Sequence, residues 1–183
     1  MPQFTTTRRV AHSASDMFDL VADVEHYPEF VPLCRSLRVR RHTQDSDGRD
    51  VIVADMTIAY KIVRETFTSR ITLDHQNREI LVEYLEGPFQ RMNNRWSFKP
   101  TGEHACDVEF FISYEFRSRT LGLLMGSVFD AAFRRFAVAF ESVAIIRAHG
   151  FSAGVLFSQI RWRLKRTLPH QPRGAWRVGE RWN

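Results

Sequence analysis

Three stretches of this chain alternate with a period of two. In VRETFTSRITL, Val63, Phe67, Ile71 and Leu73 fall on one side of an extended backbone, and Arg64, Thr66, Thr68, Arg70 and Thr72 on the other. In RMNNRWSFK, Met92, Trp96 and Phe98 alternate with Arg91, Asn93, Arg95, Ser97 and Lys99. In DVEFFISYEF, Val108, Phe110, Ile112, Tyr114 and Phe116 oppose Asp107, Glu109, Ser113 and Glu115. One-sided strands of this kind belong to an antiparallel sheet with one face in water. Strand-like runs over 3–10, 35–45, 49–60, 62–73, 79–86, 90–99 and 105–117 are joined by connections too short for parallel crossovers. Asp47-Gly48 reads as a hairpin turn, and Pro100-Thr101-Gly102 as the turn joining the last two runs.

Helical periodicity appears twice. Ser13 or Ser15 can cap a short helix, DMFDLVADV, with Met17, Phe18, Val21 and Ala22 on one face. From about Thr120 to His149 a second helix carries Leu121, Met125, Val128, Ala132, Phe136, Phe140 and Val143 along one stripe, and Gly150 is a natural stop. At ~1.5 Å per residue it is roughly 45 Å long. Leu123, Leu124, Phe129 and Phe133 fall outside the stripe, so this helix is expected to be covered on more than one side. The pattern predicts a sheet gripping a rod.

Two polar residues sit in phase with the apolar positions. Glu65 follows Val63, and Asn94 lies between Met92 and Trp96. A buried charge or amide needs partners. Either these groups bond to each other or to backbone, or they orient the head of a ligand in an apolar pocket.

Composition narrows the function classes. At 183 residues with 44% hydrophobic content, the chain suffices for one domain with a sizeable core, and its 15 Phe say that large flat rings fill or line the interior. No run approaches the roughly 18 apolar residues of a membrane span. The start, MPQFTTTRRV, has no apolar signal core and leaves no room for a mitochondrial presequence, so a bacterial cytosolic location is expected. Cys34 and Cys106 form no CxxC and read as buried thiols, and the seven His never come at metal-ligand spacing. No phosphate loop, GxSxG or HExxH occurs. Charge is lopsided: residues 150–183 carry +6, and the remaining 149 residues −1. The basicity therefore belongs to the tail and does not mark a nucleic-acid face on the domain; no DNA partner is expected.

Four motifs, DVEHYPEFVPLC, YKIVRETFTSRITL, GPFQRMNNRWSFKP and FRSRTLGLLMGSVFDAAFRRFAVAFESVA, resemble the coenzyme Q-binding START-domain family, within the polyketide cyclase/dehydrase-like group. The resemblance spans residues 3–149. It implies an α+β helix-grip fold, a seven-stranded antiparallel sheet wrapped around the C-terminal helix and enclosing a hydrophobic tunnel. It implies non-enzymatic binding of ubiquinone or a related polyprenyl lipid as a bound ligand, with no further cofactor, in support of respiratory electron transfer. Some bacterial members are instead ribosome-association toxins, which makes a ribosomal subunit the alternative partner. The domain is read as 1–150 and a basic extension as 151–183.

In such a fold the segment after the first helix lies near the tunnel entrance. Pro28 and Pro32 stiffen it. Tyr27, Phe30, Val31 and Leu33 then form an apolar lip that meets a membrane or a lipid, or else cap the end of the core. The tunnel wall is assigned to Glu65, Phe67, Met92, Asn94, Trp96, Phe110, Ile112 and Tyr114 from the strands, and to Met125, Val128, Phe129 and Phe136 from the helix. A cyclase or aromatase would need a poised acid–base group, for which Glu65 with Tyr114 or Tyr84 is the candidate set. The tail offers two further surfaces. Residues 151–168 can form a basic amphipathic helix suited to the inner-membrane surface, with disorder beyond Pro169. Trp162, Trp176 and Trp182 among arginines suit rRNA.

Overall fold

Alternating apolar positions can be buried only if the strands share one covered face, and that requirement sets the architecture. A computed structural model describes residues 2–148. Its seven strands are β1 (Gln3–Val10), β2 (Cys34–Gln44), β3 (Asp50–Tyr60), β4 (Val63–Asp74), β5 (Glu79–Glu86), β6 (Phe89–Gly102) and β7 (Ala105–Phe116). They form one antiparallel sheet in the order β1-β7-β6-β5-β4-β3-β2. Helix α1 (Ala14–Ala22), a 3-10 turn (Val24–His26) and the short helix α2 (Tyr27–Phe30) link β1 to β2, and α3 (Arg119–Ala148) follows β7. The expected helix-grip architecture is the observed one. No helix among the described residues is long and apolar enough to cross a membrane. The stop at Gly150 and the whole of 151–183, including the expected surface helix and disordered end, lie outside the described residues.

Local signals act as expected at several points. The Ser13 hydroxyl accepts from the Asp16 amide at 3.1 Å and caps α1. The β6–β7 turn falls later than expected: β6 runs through Pro100 to Gly102, with a register irregularity between those two residues. The proline segment is more structured than a connection. Pro28 sits in the first turn of α2, where a missing amide hydrogen costs nothing. Leu33 takes a left-handed φ of 66°, which reverses the chain so that its carbonyl accepts from the Ala59 amide at 3.0 Å.

The stripe of α3 is centred differently from the expected one. Met125, Phe129, Ala132, Phe133, Ala139, Phe140, Val143 and Ala144 are buried, whereas Leu121 and Val128 are half-buried at its flank. Phe129 and Phe133 thus belong to the seam with the sheet. Leu123 and Leu124 are exposed, so the second cover expected over the helix is not found at these two positions. The apolar set on this helix spans more than one stripe, and sequence alone does not say which part meets the sheet.

Irregularities bend the sheet around the helix. Register shifts occur in β2–β3, in β4–β5 between Thr68 and Ser69, and in β6–β7, and each such bulge adds local twist and bend. The β5–β6 turn folds tightly onto β4. Gly87, at φ 135°, would place a Cβ 2.7–2.8 Å from Phe67 Cβ, Phe67 Cα and the Thr66 carbonyl oxygen. Gly48 has φ 78° but open space around it. Gly87→Ala is therefore expected to lower the unfolding free energy by ~3 kcal/mol or more, since two backbones must move apart. Gly48→Ala should cost only the ~1–2 kcal/mol of a left-handed L-residue. Urea unfolding of both variants checks this ordering.

Candidate functional site

The sheet and α3 do not close completely on each other. Between them lies a cavity of about 120 Å³. A cavity of roughly 150 Å³ lined by Leu, Ile and Phe holds a benzene, so this space suits one small ring. A second void of about 20 Å³ lies beyond a partition of Trp96, Phe110, Phe133 and Phe140, which line both spaces. The partition is tightly ringed: Trp96 meets Phe110 at 4.5 Å and Phe140 at 5.3 Å between centroids. Among the described residues an aromatic wall divides these two voids, where one continuous tunnel was expected.

Many of the expected wall residues line the cavity. Phe67 comes from β4, Met92, Asn94 and Trp96 from β6, and Phe110 and Ile112 from β7. Phe129 reaches it from α3, and Tyr27 and Val31 from the segment around α2. The others are placed elsewhere. Phe30 is buried between Tyr27 and Phe140, with ring separations of 5.9 and 5.1 Å, so it caps the core and forms no exposed lip. Leu33 is half-buried at the turn into β2. Tyr114 is buried among Phe89, Phe116, Phe129 and Phe133, behind the wall. Met125 is buried and Val128 half-buried, neither on the cavity. The Phe136 side chain lies outside the described residues.

Glu65 is the clearest correction. Its parity is inward, but β4 begins to pair with β5 only at Thr68, so the stretch 63–67 projects past its neighbour. Glu65 is half-exposed there and does not line the cavity. It stands four residues from Ser69, the partner of Tyr84, or ~13 Å along the strand. With Tyr114 behind the wall, the set Glu65, Tyr84 and Tyr114 is not assembled around one point. The lining carries no charged side chain.

Asn94 does line the cavity, and its amide holds the wall in place. Its Nδ2 donates to the Phe111 carbonyl at 2.8 Å, and its Oδ1 accepts from Trp96 Nε1 at 3.0 Å. Of the two readings left open for it, bonding within the fold is the one observed. Tyr27 likewise donates its hydroxyl to the Val21 carbonyl. Burial, with the charges of Cys34 and Asp23 adding, pushes its phenol well above the usual range.

The sequence reading missed Ser69, which is on the cavity wall, 5% exposed, between Phe67 and Ile71. Its parity in VRETFTSRITL was a usable signal. Leu37 on β2, and Ala54, Met56 and Ile58 on β3, were missed as well. The alternation in VIVADMTIAY marks the last three.

The family described as "Polyketide cyclase / dehydrase and lipid transport" matches residues 10–141. The chain is 36% identical to the ribosome association toxin RatA of Escherichia coli K12, over 70% of this chain and 78% of that protein. It is 32% identical to the mitochondrial coenzyme Q-binding protein COQ10 of Drosophila melanogaster, over 63% of this chain and 47% of that protein. Among solved structures it resembles a START superfamily protein from Mycobacterium smegmatis, with a TM-score of 0.65 and 19% identity, covering 78% of this chain and 96% of the other.

Burial around the site makes stability pH-dependent on the alkaline side. The Cys34 thiol is pushed up to about 12 by burial. Cys106 is pushed up to about 11, by burial first and then by Asp107 and Asp16. In the unfolded chain these groups ionise near ~8.5, and tyrosine near ~10. The unfolded state therefore loses protons first, and stability falls as pH rises. Between about pH 6 and 8 the unfolding free energy is expected to be steady on account of these thiols, and it should decline through pH 9–11. In Cys34→Ala/Cys106→Ala the onset should move up towards the tyrosine range. Urea titrations at stepped pH measure both.

Proposed function

The chain belongs to the polyketide cyclase / dehydrase and lipid transport family, and from that membership and the cavity we propose that it binds ubiquinone or a related polyprenyl lipid without transforming it. Such binding would support respiratory electron transfer as a lipid chaperone. The observation that carries this reading is the uncharged, largely apolar cavity of about 120 Å³. It accepts the volume of a ring and rejects a charged head, which would be buried without a counter-charge. A prenyl chain exceeds that volume and runs out of the cavity.

A surface feature supports a membrane source for such a ligand. Among the described residues, all five exposed large hydrophobics, Tyr60, Ile62, Leu85, Leu123 and Leu124, belong to one end of the sheet. The β3–β4 turn, the end of β5 and the first turns of α3 meet there. Ile62 is fully exposed and Leu123 86% exposed, which exceeds scattered surface apolarity. Lys61, Arg64, Arg117 and Arg119 are exposed at the same end. Each adds ~1 kcal/mol of attraction to an anionic leaflet. The segment after α2 enters β2 at this same end, where the Leu33 carbonyl accepts from the Ala59 amide, and the apolar end as a whole would hold the protein peripherally on the inner-membrane surface.

The test is direct. Full-length protein incubated with vesicles containing ubiquinone, re-isolated and extracted, is expected to yield quinone approaching one per chain by mass spectrometry. Extracts free of quinone would overturn the reading.

A second reading, association with a ribosomal subunit, is favoured by one observation. Edge strand β2 exposes Arg35, Arg38, Arg40 and Arg41 within seven residues, although residues 1–149 sum to −1. Arg40 is bound to Asp55 at 2.7 Å. Charges on an edge also block unwanted strand pairing, which is the simpler account. Two variants separate the surfaces. Ile62→Asp/Leu123→Asp should lose association with anionic vesicles while keeping any co-sedimentation with ribosomal subunits. Arg35→Glu/Arg38→Glu/Arg41→Glu should do the reverse if the second reading holds. Vesicle binding unaffected by the first variant would remove the membrane role of that end.

A further inference from the structure

Two buried hydroxyls on the inner face of the sheet have no hydrogen-bond partner among the described residues: Ser69 Oγ and Tyr84 OH. The two residues are direct register partners across β4 and β5. Opposed residues of an antiparallel pair share a face and hold their Cβ atoms about 5 Å apart. Both are inward, because the same ladder opposes Ile71 to Val82 and Leu73 to Ile80, and Ile71, Val82 and Ile80 line the cavity. Ser69 is itself on the lining and only 5% exposed. Tyr84 is half-buried and stands just outside the lining, its ring edge-on against Phe89 at 5.7 Å.

The placement is not incidental to the strand ladder. The register shift between Thr68 and Ser69 leaves Leu85 as the extra residue on β5, immediately beside this pair. Bulges re-aim side chains and concentrate near functional sites. A buried hydroxyl left without a partner is costly, and two adjacent ones are rarely retained without a use. The other polar groups of the cavity wall differ: Asn94 is bonded to Trp96 and Phe111, and Tyr27 to Val21.

We propose that Ser69 on the lining and its register partner Tyr84 just outside it form a polar seat and donate hydrogen bonds to the oxygens of an uncharged, ring-sized ligand head. Two neighbouring donors fit a carbonyl oxygen, or a carbonyl with an adjacent ether oxygen. They do not fit a phosphate or carboxylate, since no cation lines the cavity. The inference rests on the lipid-binding reading above and assigns the residues that would distinguish an oxygenated ring from plain hydrocarbon.

The experiment uses the full chain and two probes with the same short prenyl tail. One is a short-chain ubiquinone, and the other is a prenylbenzene without ring oxygens. Equilibrium dialysis gives the dissociation constants for the native chain, Ser69→Ala and Tyr84→Phe, each of which removes one hydroxyl and little volume. Each substitution is expected to weaken the quinone about tenfold, the scale of one hydrogen bond. Prenylbenzene affinity should stay within about twofold, and the thermal midpoint of the ligand-free variants should equal or exceed that of the native chain, since a costly unpartnered hydroxyl is removed. Equal loss for both probes, or no loss for either, overturns the seat while leaving the lipid-binding reading intact. A native chain that binds neither probe overturns both.

Discussion

Phe89 on β6 ties β4, β5, β7 and α3 together through one aromatic cluster. It is fully buried, and its ring meets those of Phe67 on β4, Tyr84 on β5, Tyr114 and Phe116 on β7, and Phe129 on α3, at 4.8–6.4 Å. Each aromatic pair adds about 0.5–1.5 kcal/mol beyond the area it buries. The grip of the sheet on the helix passes through this hub, which the tight turn at Gly87 brings onto β4. Everything else in the interior is arranged around where this cluster ends.

It ends at a void because rigid rings held at fixed angles cannot redistribute their volume as flexible aliphatic side chains can. On one side the rings of Phe129, Phe133 and Phe140 complete the seam with the sheet. On the other, the partition built on Trp96 is locked by Asn94, which ties the indole to the backbone of β7. An amide in an apolar wall is affordable there because both its ends are bonded. Ser69 on the lining and its partner Tyr84 beside it stand in contrast, with capacity left over. Without charge in the lining, such capacity selects neutral oxygen chemistry over ionic heads.

The two readings of function draw on separate parts of the molecule. Ligand uptake would use the interior and the apolar end formed by the β3–β4 turn and the start of α3. Contact with a polyanion would use the arginine-bearing edge of β2, on the far side of the sheet order from β1. The outer face elsewhere is occupied by local pairs such as Arg9 with Asp107 at 2.9 Å. A single chain can carry both surfaces without conflict, which is consistent with a family whose relatives bear names from both fields.

Seven strands, their antiparallel order, the α1 cap and the long α3 were legible in the chain, because periods of two and 3.6 are properties of a few consecutive residues. The greater part of the cavity lining was legible for the same reason: parity placed Phe67, Met92, Asn94, Trp96, Phe110 and Ile112 on the inner face. Parity does not say how far along a strand the cover extends. Glu65 was lost to the half-exposed end of β4, and Tyr114 went behind the aromatic wall. On α3, too many apolar residues left the stripe ambiguous, and only docking chose Phe129 and Phe133 over Leu123 and Leu124. Ser69 could have been found by parity, but that its hydroxyl and that of Tyr84 lack partners could not. Register between strands and the hydrogen bonds of every neighbour are facts of three-dimensional packing, and no local pattern of residues contains them.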